Sequence, residues 1–343
     1  MPTMNFTVYQ APPGLLTDLT REIGAVREIT AVREPLVAAS GPPHPAAFAA
    51  DIWLDPVFSP MASISEAAKT LKAVQRNWAC VPVGHFRRAA LVAAKLPKVS
   101  ARPLVFGEPL PASPLGAFTL WDEHTLLYSP RTAEPVPGGD YRFAEDREGP
   151  PNRAYLKLWE ALTRMGTMPG PGDVCLDLGG SPGGWTWVLA GLGARVTCVD
   201  KAPLDPRVAA MPGVRYLPGS AFAVDVADHP GLSWLFWDVI CYPARLVTFL
   251  TRLVVRPDCP RLVCTVKFQG ETDFSAIAAL AAIPGGRLMH LSHNKHEVTF
   301  VRLRPGEDHG LDRFAASPAP SSSHPAQEPP PAGDAPPCPD AAP

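Results

Sequence analysis

The chain has 343 residues, 46% of them hydrophobic, which is enough for about two domains with buried cores. Its 31 basic and 33 acidic residues give a formal net charge of −2, which excludes a nucleic-acid-binding protein that is basic throughout. No apolar run approaches the ~18 residues of a membrane span, and the N-terminus lacks a signal-peptide pattern, so we expect a cytoplasmic protein without a membrane partner. The seven cysteines show no CxxC spacing, so we expect no metal partner.

Residues 1–150 alternate short strands and helices, the pattern of a small α+β domain. Strands are predicted at 5–11, 25–32, 103–107, 117–121 and 125–129. Helices are predicted at 13–24 and 63–77, and the segment 86–96 follows them. Proline-rich stretches at 41–45, 109–114 and 134–140 predict linkers.

A basic run lies within this N-terminal part. From Lys69 to Arg102 there are eight basic residues and no acid. A run of this length favours a phosphate-binding face over an ordinary solvated surface. The candidate contacts in it are Lys72, Arg76, Arg87, Arg88, Lys95 and Lys98.

Residues 151–305 show a regular alternation of helices and apolar strands. After a helix at 152–166, strands are predicted at 174–178, 195–200, 214–219, 234–240 and 261–268, helices at 183–193, 243–254 and 273–283, and two closing strands at 286–292 and 296–303. This pattern predicts an open, mostly parallel α/β sheet whose ligands lie beyond the carboxyl ends of the strands. One of the last two strands should be antiparallel, because no helix separates them. The proline-rich tail 306–343 is expected to be disordered.

A glycine-rich turn follows the first strand of this region, in the sequence LDLGGSPGGW at 176–185. Glycines let the backbone approach a ligand, and the acid Asp200 at the end of the next strand can accept hydrogen bonds from ribose hydroxyls. The acid Asp177 beside the turn would repel a pyrophosphate but suits an ammonium and a sulfonium group. The turn therefore favours S-adenosylmethionine over a dinucleotide, the alternative being a tight turn that binds nothing.

Four charged residues stand where a ligand site should form. Lys157 lies on the helix before the first strand, Asp238 and Lys267 end two later strands, and Glu297 opens the last strand. Removing a proton from a hydroxyl group calls for lysines interleaved with carboxylates. Taken singly, Lys157 and Glu297 could be surface residues, whereas charges that end buried strands need partners.

The turn and these four residues resemble the FtsJ-type ribose 2′-O-methyltransferases, whose turn reads D-x-x-x-x-P-G-G-[WF] and whose catalytic tetrad reads K-D-K-E. The resemblance implies a Rossmann-like methyltransferase sheet, S-adenosyl-L-methionine as cofactor and an RNA substrate. Lys267 would be the general base or stabilise the alkoxide, Asp238 and Glu297 would tune its charge, and Lys157 would orient the ribose. The implied cofactor contacts are Asp177, Gly179, Ser181, Pro182, Gly183, Gly184, Trp185, Asp200, Ser220 and Asp238.

Further likeness within that family points to ribosomal RNA. The patterns N-R-x-x-L-K-L before the sheet and H-x-x-x-E-V-T near its end resemble those of an enzyme that methylates a cytidine ribose of 23S ribosomal RNA. That enzyme has an N-terminal RNA-binding part with a THUMP domain, which implies an RNA-binding role for residues 1–150 here. A monomer is expected.

The chain departs from the family at one place. Where the family has an acid that contacts the adenine amine, this chain has Ser220, and Asp225 could substitute if the loop folds back. This departure supports an alternative, a non-catalytic RNA-binding protein on a methyltransferase fold. An NAD-dependent oxidoreductase is disfavoured by the acid beside the turn. Amino-directed and cytosine-C5 methyltransferases lack support, because neither an [ND]-P-P-[YFW] motif nor a nucleophilic cysteine context is found.

Overall fold

The computed structural model of the protein describes residues 5–100 and 102–307. The tail that the sequence predicts to be disordered lies outside these residues from position 308 onward. Within the described ranges, none of the helices combines the length and the apolar character needed to cross a membrane.

The first N-terminal sheet has four antiparallel strands. These are β1 (Phe6–Gln10), β2 (Ile29–Arg33), β3 (Leu36–Ser40) and β4 (Asp51–Trp53), in the order β2-β3-β1-β4. Helix α1 (Leu16–Gly24) packs on β3 through its buried residues Leu19 and Ile23.

A second four-stranded sheet follows. It consists of β5 (Val57–Pro60), β6 (Trp78–Cys80), β7 (Gly116–Leu120) and β8 (Thr125–Ser129), in the order β5-β8-β7-β6. Helices α2 (Ile64–Val74) and α3 (Phe86–Ala94) share a core with this sheet. Helix α2 begins where the sequence predicts, because the Ser63 hydroxyl accepts the backbone N–H of Glu66 at 3.1 Å.

The α+β character of this region is confirmed, but several elements differ from the prediction. Strands β3 to β6 have only three to five residues and were not predicted, since such short segments show little periodicity. The strand predicted at 103–107 is wrong, because only Leu104 forms a bridge, to Phe143. The segment 134–140, predicted as a linker, forms bends and a short 3₁₀ turn at 137–139. Glu134 there forms an ion pair with the buried Arg164 at 2.8 Å, which ties the segment to the next domain.

The C-terminal region forms one seven-stranded sheet. Its elements are α4 (Tyr155–Met165), β9 (Val174–Leu178), α5 (Gly184–Gly191), β10 (Arg195–Asp200), α6 (Pro206–Ala209), β11 (Val214–Pro218), β12 (Trp234–Trp237), α7 (Pro243–Leu253), β13 (Arg261–Lys267), α8 (Phe274–Ala281), β14 (Gly286–Met289) and β15 (Glu297–Arg302). The strand order is β11-β10-β9-β12-β13-β15-β14. Only β15 runs antiparallel to its neighbours, so the predicted open α/β sheet with one antiparallel strand is confirmed.

Burial explains why the central strands are parallel and apolar. Every residue of β12 is buried, as are all but the first residue of β9 and the inner five of β13, which leaves no face for polar side chains. The carboxyl ends of these three strands meet at one edge of the sheet. Because β15 is antiparallel, its first residue Glu297 lies at that same edge, opposite Lys267 in the strand register.

The first N-terminal sheet packs directly on the C-terminal sheet region. Phe48 lies against the rings of Phe268 and Phe274, with centroids 6.1 and 6.2 Å apart, and all three belong to one apolar core. Asp18 of α1 accepts a hydrogen bond from the Thr272 hydroxyl across the same boundary. The two regions therefore share a core beside the carboxyl edge of the large sheet.

Candidate active site

The glycine turn between β9 and α5 passes closely over the neighbouring strand end. Gly179 has a φ of 80°, and a Cβ atom there would lie 3.0 Å from backbone atoms of Val239. Gly183 has a φ of 114°, and a Cβ atom there would lie 2.9 Å from Val208. Both positions require glycine, which explains the pattern that the sequence shows.

Asp177 lies beneath this turn and is fully buried. Its Oδ2 accepts a hydrogen bond of 2.6 Å from the Thr186 hydroxyl, while Oδ1 has no partner among the described residues. Burial is the main reason that the pKa of Asp177 is raised to about 7. The hydrogen bond from Thr186 opposes this shift, and the charges of Asp238 and Asp200 add to it. A direct cofactor contact by this carboxyl stays a prediction.

Asp200 holds the turn from the end of β10. Its two carboxylate oxygens accept the backbone N–H groups of Ser181 and Ala202, each at 3.0 Å. The Ser181 hydroxyl donates to the carbonyl of Pro203, and the Pro182 carbonyl accepts from Asp205. A half-buried carboxylate with further lone pairs thus stands where the sequence places the ribose contact.

Trp185 has a different position from that expected of a cofactor contact. Its side chain is buried, its indole N–H donates to the Ala154 carbonyl at 3.0 Å, and its ring packs edge-on against Phe236. The adjacent Gly184 lies close to Asn152, since a Cβ atom there would be 2.2 Å from the Asn152 Oδ1. These contacts fix the glycine turn to the start of α4, the helix that carries Lys157.

Ser220 begins a 3₁₀ turn over residues 221–223 and accepts the backbone N–H of Phe222 at 3.3 Å. Asp225 is exposed and caps the following 3₁₀ turn by accepting from Ala227 at 2.9 Å. The substitution of Asp225 for the missing family acid therefore has no support in this geometry, because its carboxylate already has a local role.

The four charged residues that the sequence singles out lie together. Lys157 Nζ is 2.9 Å from Glu297 Oε1 and 3.9 Å from Asp238 Oδ1. Lys267 Nζ is 2.8 Å from Asp238 Oδ1 and also donates to the Asp238 backbone carbonyl at 2.8 Å. We call these four residues the tetrad.

The tetrad is shielded from water but not sealed. The exposed fractions of its side chains lie between 12% and 19%. Two cations and two anions balance formally, so the cluster carries no net charge that burial would penalise. Such a cluster can hold a hydroxyl group beside Lys267 while Asp238 and Glu297 keep both lysines in place.

Two supporting residues were not anticipated from the sequence. The Thr186 hydroxyl donates to the Asp177 carboxyl, and Asn152 lies against Gly184. Both belong to the sequence patterns that carry the resemblance, N-R-x-x-L-K-L and P-G-G-W-T, so their position in those patterns was the available signal. Their contacts depend on the packing of α4 on α5.

The six predicted RNA contacts of the basic run lie on helices α2 and α3 or within four residues after them. Five of them are exposed and Arg88 is half-buried. Phe86, which precedes Arg87, has 66% of its surface exposed. This part of the chain thus offers cations and an aromatic ring to solvent. RNA binding there remains a prediction.

Cysteine chemistry is not favoured at the site. Burial raises the pKa of Cys241 and of Cys264, and Cys264 lies in the core of β13. Neither thiol is therefore primed as a nucleophile. No cluster of histidine, cysteine or acidic residues suited to a metal ion occurs within residues 5–100 and 102–307.

Comparison with known proteins confirms the resemblance noted in the sequence. Residues 150–241 match the family described as FtsJ-like methyltransferase. The chain is 38% identical to the ribosomal RNA large subunit methyltransferase M of Halorhodospira halophila over 176 residues, which cover 49% of this chain and 51% of that protein. It is 30% identical to the protein of the same name from Alkalilimnicola ehrlichii, covering 51% of each chain.

A longer alignment extends into the N-terminal part. The ribosomal RNA large subunit methyltransferase M of Xanthomonas oryzae pv. oryzae is 28% identical over 265 residues, which cover 70% of each chain. The chain spans about half the length of the first relatives it matches. The solved Burkholderia thailandensis 1,6-didemethyltoxoflavin-N1-methyltransferase aligns with a TM-score of only 0.32 at 19% identity, over 44% of this chain and 76% of that one. So distant a likeness adds nothing to the assignment.

Proposed function

We propose that this chain, which carries an FtsJ-like methyltransferase domain over residues 150–241, is an S-adenosylmethionine-dependent RNA ribose 2′-O-methyltransferase. One observation carries the proposal: the two lysines and two carboxylates of the tetrad meet at the carboxyl edge of the sheet, where β9 and the glycine turn also end. The relatives named as ribosomal RNA large subunit methyltransferases suggest large-subunit ribosomal RNA as the acceptor. A cytidine ribose of 23S ribosomal RNA is proposed as the target from the family resemblance of the sequence alone.

The residues around the turn fit S-adenosyl-L-methionine, the cofactor that the family match supports. Asp200 offers carboxylate oxygens for ribose hydroxyls at the end of β10, and the glycines leave the backbone of the turn accessible. Ser181 and Pro182 shape that turn, and Ser220 stands at the end of β11. When bound, the cofactor supplies an electrophilic methyl group on a sulfonium centre.

Lys267 is the residue proposed to act on the acceptor hydroxyl. As a neutral amine it would take the proton that the 2′-oxygen loses as it bonds to the methyl carbon. As an ammonium it would instead donate a hydrogen bond to that oxygen while the proton leaves to water. Either role requires an amine held at a fixed position, and the two oxygens of Asp238 that contact Nζ supply this restraint.

The other tetrad members position Lys267 and the ribose. Asp238 lies between the two lysines, and Glu297 holds Lys157 from the opposite side. Because Lys157 is fixed by two carboxylates, its ammonium can donate to a ribose oxygen without moving. An error of about 1 Å in such positioning lowers rates by roughly 10²-fold, which gives these contacts their catalytic weight.

Transfer of labelled methyl groups tests the proposal. The purified protein is incubated with methyl-labelled S-adenosylmethionine and 23S ribosomal RNA from a strain that lacks this gene, and modified riboses are mapped. We expect the wild-type protein to label one ribose 2′-oxygen. Lys267→Ala should reduce the rate of methyl transfer by a factor on the order of 10³. The affinity of this variant for the cofactor, measured by calorimetry, should stay nearly constant.

Arg252→Ala, on an exposed residue of α7, is the control and should retain full activity. Turnover by Lys267→Ala at the wild-type rate would refute the assigned role of this lysine. RNA binding without any methyl transfer by the wild-type protein would instead favour the non-catalytic alternative that Ser220 raises.

A further inference from the structure

We infer that an open cavity between the first N-terminal sheet and the C-terminal domain binds an unpaired nucleobase of the RNA strand. The cavity has a volume of about 720 Å³ and is lined by residues that include Gln10, Asp18, Gly138, Ser292, Lys295 and His296. This inference rests on the proposed function, and it adds a site for the base beside the site for the ribose.

The position of the cavity links it to the tetrad. Lys295 and His296 line it and directly precede Glu297 in the chain. The His296 carbonyl accepts the backbone N–H of Phe268 at 3.4 Å, and Phe268 directly follows Lys267. One wall of the cavity is thus continuous with the two strand ends that carry Glu297 and Lys267. A nucleoside whose ribose lies at the tetrad can reach this wall with its base.

The chemistry of the cavity suits a base edge. Gln10 lines it, and the side-chain Oε1 of Gln10 is buried without a hydrogen-bond partner among the described residues. A buried carboxamide oxygen without a partner is costly, and rotation of the Gln10 carboxamide about its terminal torsion would turn this oxygen toward the cavity, where a ligand donor can reach it. A carboxamide holds an acceptor and a donor side by side in one plane. This arrangement complements the neighbouring donor and acceptor groups on a base edge.

The walls are held rigidly enough to select a ligand. The Thr272 hydroxyl lies 2.7 Å from His296 Nε2 and also donates to Asp18, and the ring of His296 packs on Phe268. Lys295 is exposed at the rim and can meet a phosphate of the strand. Single-stranded RNA is read mainly through bases splayed out of the stack, which is the kind of ligand that this polar cavity with one cation at its rim accepts.

Ligand-observed NMR tests the inference by measuring the affinity of the protein for cytidine 5′-monophosphate. Ribose 5-phosphate, which has no base, is the control ligand. S-adenosylhomocysteine is present in excess to occupy the cofactor site. We expect cytidine 5′-monophosphate to bind about 10-fold more tightly than ribose 5-phosphate, and Gln10→Met to weaken it by about 10-fold, as loss of a hydrogen bond to a buried partner predicts.

Gln75→Met makes the same change in the second N-terminal sheet region, outside the cavity, and should leave the affinity unchanged. Lys295→Met alters only an exposed side chain and should weaken both probes. Equal affinity of the wild-type and Gln10→Met proteins, equal affinity for the two probes, or no binding of the nucleotide at millimolar concentration would each overturn the inference.

The result is separable from the proposed function. Nucleotide binding that depends on Gln10, in a protein that transfers no methyl group to ribosomal RNA, would reject the proposed function and keep the base site. Methyl transfer to ribosomal RNA at the same rate in the wild-type and Gln10→Met proteins would keep the proposed function and reject the base site.

Discussion

Lys157 Nζ lies 2.9 Å from Glu297 Oε1, which joins the helix before the first strand of the large sheet to its last strand across 140 positions of the chain. The contact adds Glu297 to the two ion pairs that Asp238 forms with Lys157 and Lys267. Both side chains are largely buried, so each depends on the other for its charge to be tolerated.

Breaking this pair should therefore affect both stability and catalysis. We expect Lys157→Met to lower the free energy of unfolding by roughly 2–3 kcal/mol, because Glu297 is left without its partner. The rate of methyl transfer should fall by roughly 10²-fold, since Lys157 no longer orients the ribose. Urea denaturation and single-turnover kinetics measure the two effects.

The double variant Lys157→Met/Glu297→Leu separates these effects. Replacing both charges with apolar side chains should recover most of the lost stability, because no unpaired charge remains. Activity should stay low. Recovery of activity together with stability would mean that the pair has only a structural role.

Asp177 predicts a pH dependence of stability. Its folded-state pKa of about 7 lies well above the ordinary value, so the neutral form favours folding. This contribution is complete below about pH 4 and is lost as the pH rises through 7. Asp177→Asn keeps the group neutral and should be more stable than the wild-type protein at pH 8 by roughly 2–4 kcal/mol, with little difference at pH 4.

Urea denaturation at both pH values checks this prediction. Burial also raises the pKa of the half-buried Glu22 to about 7 and that of the buried Glu160 to about 8, so the comparison between variant and wild type isolates Asp177 from their contributions. A variant that is less stable than the wild type at pH 8 would show that the ionised carboxyl is required by the fold.

Ser220 predicts a gain of function. Ser220→Asp restores the acid that the family has at this position, and aspartate can keep the cap on Phe222. A charged acceptor for the adenine amine should tighten S-adenosylmethionine binding by roughly 5- to 10-fold. Calorimetry measures the affinity. Ala223→Asp adds the same charge at an exposed residue three positions later and should have no such effect.

The basic run predicts the salt dependence of RNA binding. Arg87→Ala/Arg88→Ala should weaken binding to single-stranded RNA and reduce the slope of log affinity against log salt by about 1.4, as two lost phosphate contacts require. Fluorescence titrations at several salt concentrations give this slope.

A matched double variant is Arg195→Ala/Arg215→Ala. These exposed arginines lie in β10 and β11, with Arg195 at the strand end opposite the tetrad edge. Their removal should leave the slope unchanged. If the two double variants reduced it equally, the basic run would have no special part in RNA binding.

Much of the site was predictable from the sequence because parallel strands bring their carboxyl ends to one edge. Once the strands were recognised, Asp238 and Lys267 had to lie near the glycine turn, and an antiparallel last strand brought Glu297 to the same edge. The short strands β3 to β6 were not predictable, because three to five residues carry too little periodicity.

The sequence by itself thus determined the α/β sheet, the glycine turn and the residues of the tetrad, since local patterns and strand order suffice for these. Only the tertiary structure decided that Lys157 pairs with Glu297, that the buried Trp185 donates its indole N–H to the Ala154 carbonyl at the start of α4, and that Asp177 is fully buried. It alone also placed Gln10 in one cavity with Lys295 and His296, the residues that precede Glu297. These contacts join segments far apart in the chain, and only the packing of one region on another brings such segments together.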